Sequence, residues 1–318
     1  MPSLSLKASI NYPFIGGPSG PSYDPDAQAW FTAVEAAGGS ITSQNKTAFN
    51  TAFVSIKTTA IYNDNPSQAG YLWDYIGVGY FLIGQESFGN GLFIPFGGPA
   101  LSAPSGGWAQ ATPYSYTSSD YNKLTGLIGD GASKYFSIDQ LNNNRTGDWT
   151  PTGGTRMAYT YKKIDYSQGG FSVAPYGTSV GSSRTFGMNF SVTGVGGLFG
   201  GGSILNNRAA VNTMPTPLTG LPQTYGAVGI YSSRGVLDGG AVAFRLGGLP
   251  ESVSLGTPNT TSLPNTPMLF GRNGSAYDTQ RTLFACFGKQ FNNYPVSGEP
   301  DPFGKLNAIM ETLITSLA

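Results

Sequence analysis

Histidine is absent from this 318-residue sequence and cysteine occurs once, at Cys286, so the side chains that carry most nucleophilic and metal chemistry are nearly missing. A Ser–His–Asp or Cys–His relay cannot be built without an imidazole. Zinc sites made of Cys and His lack ligands, and one thiol excludes an intramolecular disulfide framework. Cys286 sits inside the apolar run Leu283-Phe284-Ala285-Cys286-Phe287, where an inert buried thiol is the default. Carboxylates remain. Glycoside cleavage needs only two of them, about 5–10 Å apart. The glutamates, however, are scattered at Glu35, Glu86, Glu251, Glu299 and Glu311, and no Glu-x-Asp-x-x-Glu run brings acids together on one strand. The string Gly194-Val195-Gly196-Gly197-Leu198-Phe199-Gly200 opens no helix and has no acid at the distance a dinucleotide site requires. The expectation is a protein with no catalytic residues and no cofactor.

Binding chemistry is better represented. Trp108, Tyr114, Tyr116, Tyr121, Trp149 and Tyr166 fall in or beside polar, Gly- and Pro-rich connections. Sugar rings present apolar C–H faces that stack on aromatic planes, and such residues equally anchor subunit interfaces. Both readings stand for these six. Asp130 with Asn142, Asn143, Asn144 and Asp148 offers oxygens of the kind calcium accepts, but Asp and Asn also populate turns for backbone reasons alone. No metal is assigned.

These residues must be positioned by a chain with 46 Gly and 22 Pro, which punctuate it too often for long helices except near the ends. Asp24 is placed to cap a helix, Pro25 to begin it and Gly38-Gly39 to end it, with Trp30, Phe31, Val34 and Ala37 on one face. A second helix opens at Thr42-Ser43, carries Phe49, Ala52, Phe53, Ile56 and Ala60 on one stripe, and stops near Asn63-Asp64. From Gly70 onward the texture is that of strands, including runs around 134–141, 156–164, 170–176, 184–192, 225–232 and 242–246. Leu92 to Phe96 reads as a strand, and 195–222 as a long Gly- and Asn-rich loop. Leu263 to Arg272 and Arg281 to Phe291 read as neighbouring antiparallel strands, the second buried on both faces. A last helix is capped by Asp301, begins at Pro302 and buries Phe303, Leu306, Met310, Leu313 and Leu317. The fold class is mainly β: an antiparallel β-sandwich with an N-terminal helical hairpin and a C-terminal helix. The expected division is an extended arm over 1–23, the hairpin over 24–70 and the sandwich over 71–318.

Charge is sparse and balanced, 17 basic against 17 acidic residues, which removes the electrostatic footprint of nucleic-acid binding. Residues 1–22 lack the sustained apolar core of a secretory signal, and the stretch 71–84 is too short and interrupted to span a membrane. The arm nevertheless holds Ile10, Tyr12, Phe14 and Ile15, which suits a segment that docks on a neighbouring subunit as well as a disordered terminus.

Two blocks of sequence resemble a known family. Asp24-Pro25-Asp26-Ala27-Gln28-Ala29-Trp30-Phe31, with Ala36-Ala37-Gly38-Gly39-Ser40-Ile41-Thr42, is similar to the helical lead-in of many tailed-phage virion proteins. Gly107-Trp108, Gly129-Asp130-Gly131, Ser233-Arg234-Gly235, Leu263-Pro264-Asn265 and the closing Arg281 to Gly288 strand resemble the concanavalin-A-like (laminin-G-like) domain that follows it. The resemblance implies a jelly-roll sandwich in a non-enzymatic virion component made in the host cytoplasm. A tail fibre, spike or appendage that contacts the host surface is the first reading, and a capsid decoration protein or a carbohydrate-binding module for host envelope glycans the alternatives. Implied partners are other virion proteins and copies of the same chain, with a host-surface glycan as a further ligand. The family supplies no catalytic or metal positions to carry over.

Overall fold

A computed structural model describes residues 22–61, 70–99, 109–138, 156–164, 172–178, 186–192, 198–204, 224–232, 241–246, 252–255, 268–273, 276–288 and 302–318. The helices are α1 (Pro25–Ala36), α2 (Ser43–Thr58) and α3 (Pro302–Ser316). The strands, in chain order, are β1 (Ala60–Ile61), β2 (Gly70–Tyr71), β3 (Ile76–Phe81), β4 (Phe96–Gly97), β5 (Thr112–Tyr114), β6 (Tyr121–Asn122) and β7 (Gly126–Ile128). They continue as β8 (Tyr135–Ile138), β9 (Arg156–Ile164), β10 (Ser172–Thr178), β11 (Phe186–Val192), β12 (Leu198–Ile204) and β13 (Thr224–Ser232). The set closes with β14 (Ala241–Leu246), β15 (Ser252–Leu255), β16 (Met268–Phe270), β17 (Arg272–Asn273), β18 (Ala276–Tyr277) and β19 (Arg281–Gly288).

The helical lead-in forms where its caps require. The Asp24 carboxylate accepts from the Asp26 and Ala27 amides at 3.0 and 3.4 Å, and Lys57 of α2 donates to the same carboxylate at 2.8 Å. Thr42 caps α2 through a bond from Asn45 N at 3.2 Å. α2 ends at Thr58, earlier than its apolar stripe suggests, because Ala60–Ile61 leave the helix to pair with Gly70–Tyr71.

Two antiparallel sheets make the body. The larger runs β15-β14-β13-β9-β19-β3-β4, with β7 joined to β19 and β6 to β7; the smaller runs β12-β11-β10-β16-β8-β5. Aromatic pairs across the gap show how the sheets face each other. Phe270 lies 4.7 Å from Phe287, and Tyr80 lies 5.8 Å from Phe136, centroid to centroid. The opposite face of the larger sheet is covered by the helices, with Phe81 packed at 5.3 Å from Trp30, 5.1 Å from Phe49 and 5.1 Å from Phe284. Tyr159 of β9 donates to Asn307 of α3 at 2.6 Å, so the last helix is tied to the same face. β3 and β19 are therefore buried on both sides, which is why β19 reads as an unbroken apolar run rather than an alternating one. Helices and larger sheet share one apolar core. Gly79 is required inside it, because a Cβ there would stand 2.3 Å from the Phe96 ring.

The mainly antiparallel sandwich with N-terminal helices and a C-terminal helix agrees with the sequence reading, and four local expectations are corrected. β16 and β19 do not pair; they lie in different sheets, because Gly271 turns the chain into the β17–β18 hairpin between them. Leu92–Phe96 is not one strand: Asn90–Phe93 form a 3-10 turn and only Phe96–Gly97 pair, at the edge that Pro95 permits. Within the stretch read as a long loop, β12 pairs with β11 over seven residues, Gly200, Gly201 and Gly202 facing Phe190, Asn189 and Met188. β5 also lies within the polar, Gly- and Pro-rich connections that carry Tyr114 and Tyr116. The arm over 1–21 and the Asp301 cap lie outside the described residues. Among the described residues no helix is long and apolar enough to cross a membrane.

Cys286 is fully buried, as its surroundings in sequence indicated, and burial pushes its thiol far up. Thiol reagents should leave it untouched in the folded protein and modify it only at the rate of unfolding. Labelling by a maleimide with and without denaturant, followed by mass, checks this; rapid native labelling would contradict it.

Candidate functional site

The site is built from three short segments at the β5 edge of the smaller sheet. β5 and β8 pair with Tyr114 opposite Tyr135. Their rings stack at 4.3 Å with planes 10° apart, and Tyr114 keeps 39% of its surface exposed. Pro113 in β5 fits an edge strand, where the missing N–H costs no ladder bond. Gly271 adopts φ +81°, a left-handed turn, and brings Arg272 of β17 opposite Tyr277 of β18. The Arg272 guanidinium lies 5.0 Å from the Tyr135 ring and 4.9 Å from the Tyr277 ring. Three tyrosines and one arginine thus form a continuous layered surface: Tyr114 on Tyr135, and Arg272 over both Tyr135 and Tyr277. Next to it, Ser115 holds φ 59°, a conformation that costs a non-glycine residue of order 1 kcal/mol and ends β5 between Tyr114 and Tyr116.

Charged residues lie next to these segments, with Lys162, Asp278 and Asp120 buried and Asp130 exposed. Lys162, with no exposed surface, donates to Asp278 and, at 2.6 Å, to the Thr282 hydroxyl. Asp278 also accepts from Gln280 N at 2.8 Å. Lys134, beside Tyr135, donates to Asp120 at 2.6 Å. Burial opposes ionisation of Asp120, but hydrogen bonds from Lys134 and from the Thr117 amide and hydroxyl hold its carboxyl below the ordinary range. Burial likewise opposes ionisation of Asp130, and bonds from the Ala132, Ser133 and Lys134 amides and the Ser133 hydroxyl override it and hold the carboxyl well down. Burial first, then the charges of Asp278, Asp130 and Asp120, push the phenol of the half-buried Tyr116 far up.

Both Asp120 and Asp130 have folded pKa values below their unfolded ones. Their stabilisation is therefore complete above about pH 4 and is lost as pH falls through that range toward the folded values. Urea midpoints should fall on acidification below about pH 4, and Asp120→Asn should flatten the fall. An unchanged slope in that variant would show that Asp120 contributes nothing to it.

Of the sequence-predicted residues, Tyr114 lies on the layered surface and Tyr116 is half-buried two residues along the chain, its ring 6.3 Å from Phe93. Tyr121 is a latch: its hydroxyl donates to Gln85 O at 2.8 Å and accepts from Gln85 N at 3.1 Å. Trp108, Trp149 and Tyr166 lie outside the described residues, as do Asn142, Asn143, Asn144 and Asp148. Asp130 spends its carboxylate on its own turn, and among the described residues no acidic, His or Cys cluster could hold a metal ion. Tyr135, Arg272, Tyr277 and the carboxylates Asp120 and Asp278 were missed. Alternation across Lys134-Tyr135 and Tyr277-Asp278 was the available signal.

No family model matches the sequence, and no curated protein matches it. Among solved structures the chain is similar to a Trypanosoma rangeli sialidase captured as a covalent intermediate, at 10% identity and TM-score 0.41 over 84% of this chain. It is also similar to an alginate lyase, at 15% identity and TM-score 0.33 over 60% of this chain and 91% of that one. A third is an arabinofuranosidase complexed with arabinofuranosyl-alpha-1,2-xylobiose, at 11% identity and TM-score 0.34, over 69% of this chain and 46% of that one. The chain spans 38% of the sialidase's length. These findings correct the expectation of a non-enzymatic virion structural component, since the solved structures are glycan-processing enzymes and none of these three is a virion protein. The expectation of no catalysis rested only on which residues stand close together in the sequence. Similarity at this level shows no shared chemistry, and no residue or substrate is carried over from it.

Proposed function

We propose that this chain engages a polysaccharide along the outer surface formed by Tyr114, Tyr135, Arg272 and Tyr277. The observation that carries the reading is the part-exposed ring of Tyr114, in the strand that ends the smaller sheet among the described residues, held in a fixed plane by its stack on Tyr135. A ring already ordered by a neighbour loses little freedom when a sugar face stacks on it, so the contact keeps most of its gross energy. The Arg272 guanidinium lies over the Tyr135 ring on which Tyr114 stacks, which extends the same surface.

Affinity electrophoresis through gels containing single polysaccharides tests this, using neutral and acidic polymers. On the resemblance of the helical lead-in to phage proteins, bacterial envelope and capsular polymers belong in the panel. Tyr114→Ala should weaken retardation about tenfold or more, roughly 1.4 kcal/mol or above, and Tyr114→Phe should retain it. Because Tyr114 is part-exposed, thermal unfolding should be little changed. The same polymers are assayed for newly released chain ends. Retardation by no polymer, or retardation indifferent to Tyr114→Ala, would defeat the assignment.

A further inference from the structure

We infer that the groove between α2 and α3 is the docking site of the chain's own N-terminal arm, which lays Ile10, Tyr12 and Phe14 into it. The groove encloses about 260 Å³ and is walled by small side chains, among them Ala48, Ala52 and Ser55 of α2 and Ala308 and Thr312 of α3. Hydroxyls along it are spent on their own helices: Thr51 donates to Thr47 O at 3.0 Å, Thr312 to Ala308 O at 2.9 Å and Ser316 to Thr312 O at 2.8 Å. What these residues offer outward is largely hydrocarbon. Lys305, the charged residue of the lining, donates to Ala60 O at 3.0 Å. A helix face turned only to water usually carries charge, and this one does not.

The occupant follows from where the arm is anchored. Asp24 N donates to Asn50 Oδ1 at 2.6 Å and Lys57 donates to the Asp24 carboxylate at 2.8 Å, so the chain enters α1 from the face of α2 that carries Asn50 and Lys57. At about 100° of rotation per residue, Val54, Thr58 and Thr51 lead round the helix from that face to the groove. All three are exposed and uncharged, Val54 with 41% of its surface open. The path round a helix roughly 10 Å across is about 15 Å, whereas the chain from Ser22 back to Ile15 can span about 23 Å. The arm therefore reaches the groove of its own chain without exchange between copies. Its composition fits as well. No charged residue stands between Lys7 and Asp24, Gly16-Gly17-Pro18 permits a change of direction, and Pro13 bars a helix. In an extended segment Ile10, Tyr12 and Phe14 share one face, which sets large side chains against a wall of small ones.

Chymotrypsin, which cleaves after tyrosine and phenylalanine, tests this on the full chain, with loss of the arm read by intact mass. Cleavage after Tyr12 and Phe14 should be about tenfold or more slower than in a free peptide of residues 1–22, at a rate independent of protein concentration. Ser55→Trp, which fills the groove, should return cleavage to the peptide's rate. Thr51→Trp, at an exposed position on the groove wall, should do the same and decides the matter if the first variant does not fold. Cleavage of the unaltered chain at the peptide's rate would overturn the inference, as would protection that persists in the folded groove variants. Protection that grows with protein concentration would place the arm on a second copy and overturn it too.

Discussion

Replacing Lys162 by methionine should destabilise the fold by about 3–5 kcal/mol, because it strands a carboxylate that has no access to water. Lys162 has no exposed surface and Asp278 has 2%, and each is the other's charge partner inside the sandwich. Asp278 would keep only its bond from Gln280 N, while Thr282 would lose the ammonium it accepts from. The paired change Lys162→Met with Asp278→Leu should recover most of the loss, since a buried ion pair contributes little net stability beside apolar residues of similar size. Urea denaturation at neutral pH of the two single variants and the double variant forms a cycle that measures the coupling. A loss below about 1 kcal/mol for Lys162→Met would mean that the carboxylate finds water, and that the interior beneath Tyr135 is not sealed.

Phe81→Ala is the second large effect, expected at about 3–5 kcal/mol. Its ring is fully buried and meets Trp30, Phe49, Phe53, Phe96 and Phe284 at centroid distances from 5.1 to 5.7 Å. These partners come from α1, α2, β4 and β19, so the vacated space cannot be closed by moving one element. The helical layer and the larger sheet should loosen together. Urea denaturation followed by tryptophan fluorescence, which reports Trp30 among others, and by far-ultraviolet dichroism should give coincident transitions at lower urea. Separate transitions would show that the helices and the sheet do not share one cooperative core.

Local signals carried the helical lead-in, and long-range pairing hid much of the rest. Asp24, Pro25 and Thr42 act on amides within a few residues, so α1 and the start of α2 could be read directly. β19 was legible as a strand covered on both faces because apolar residues occupy consecutive rather than alternate positions. Its sheet partners were not, since β3 and β9 lie far away in sequence and nothing local distinguishes them from β16. β12 was concealed by its own composition, as Gly200, Gly201 and Gly202 carry no side chain from which an alternation could be seen. Of the candidate site, Tyr114 was visible as an aromatic among turn formers. Tyr135 and Arg272 were not, because the surface exists only once β5, β8 and the β17–β18 hairpin are brought side by side.

A crystal structure of the chain soaked with oligosaccharides of the polymer it retards most strongly tests the assignment of this surface directly. Sugar density is expected against the exposed face of Tyr114, extending toward Arg272. Density confined to another surface, or a surface left bare at saturating oligosaccharide, would contradict it.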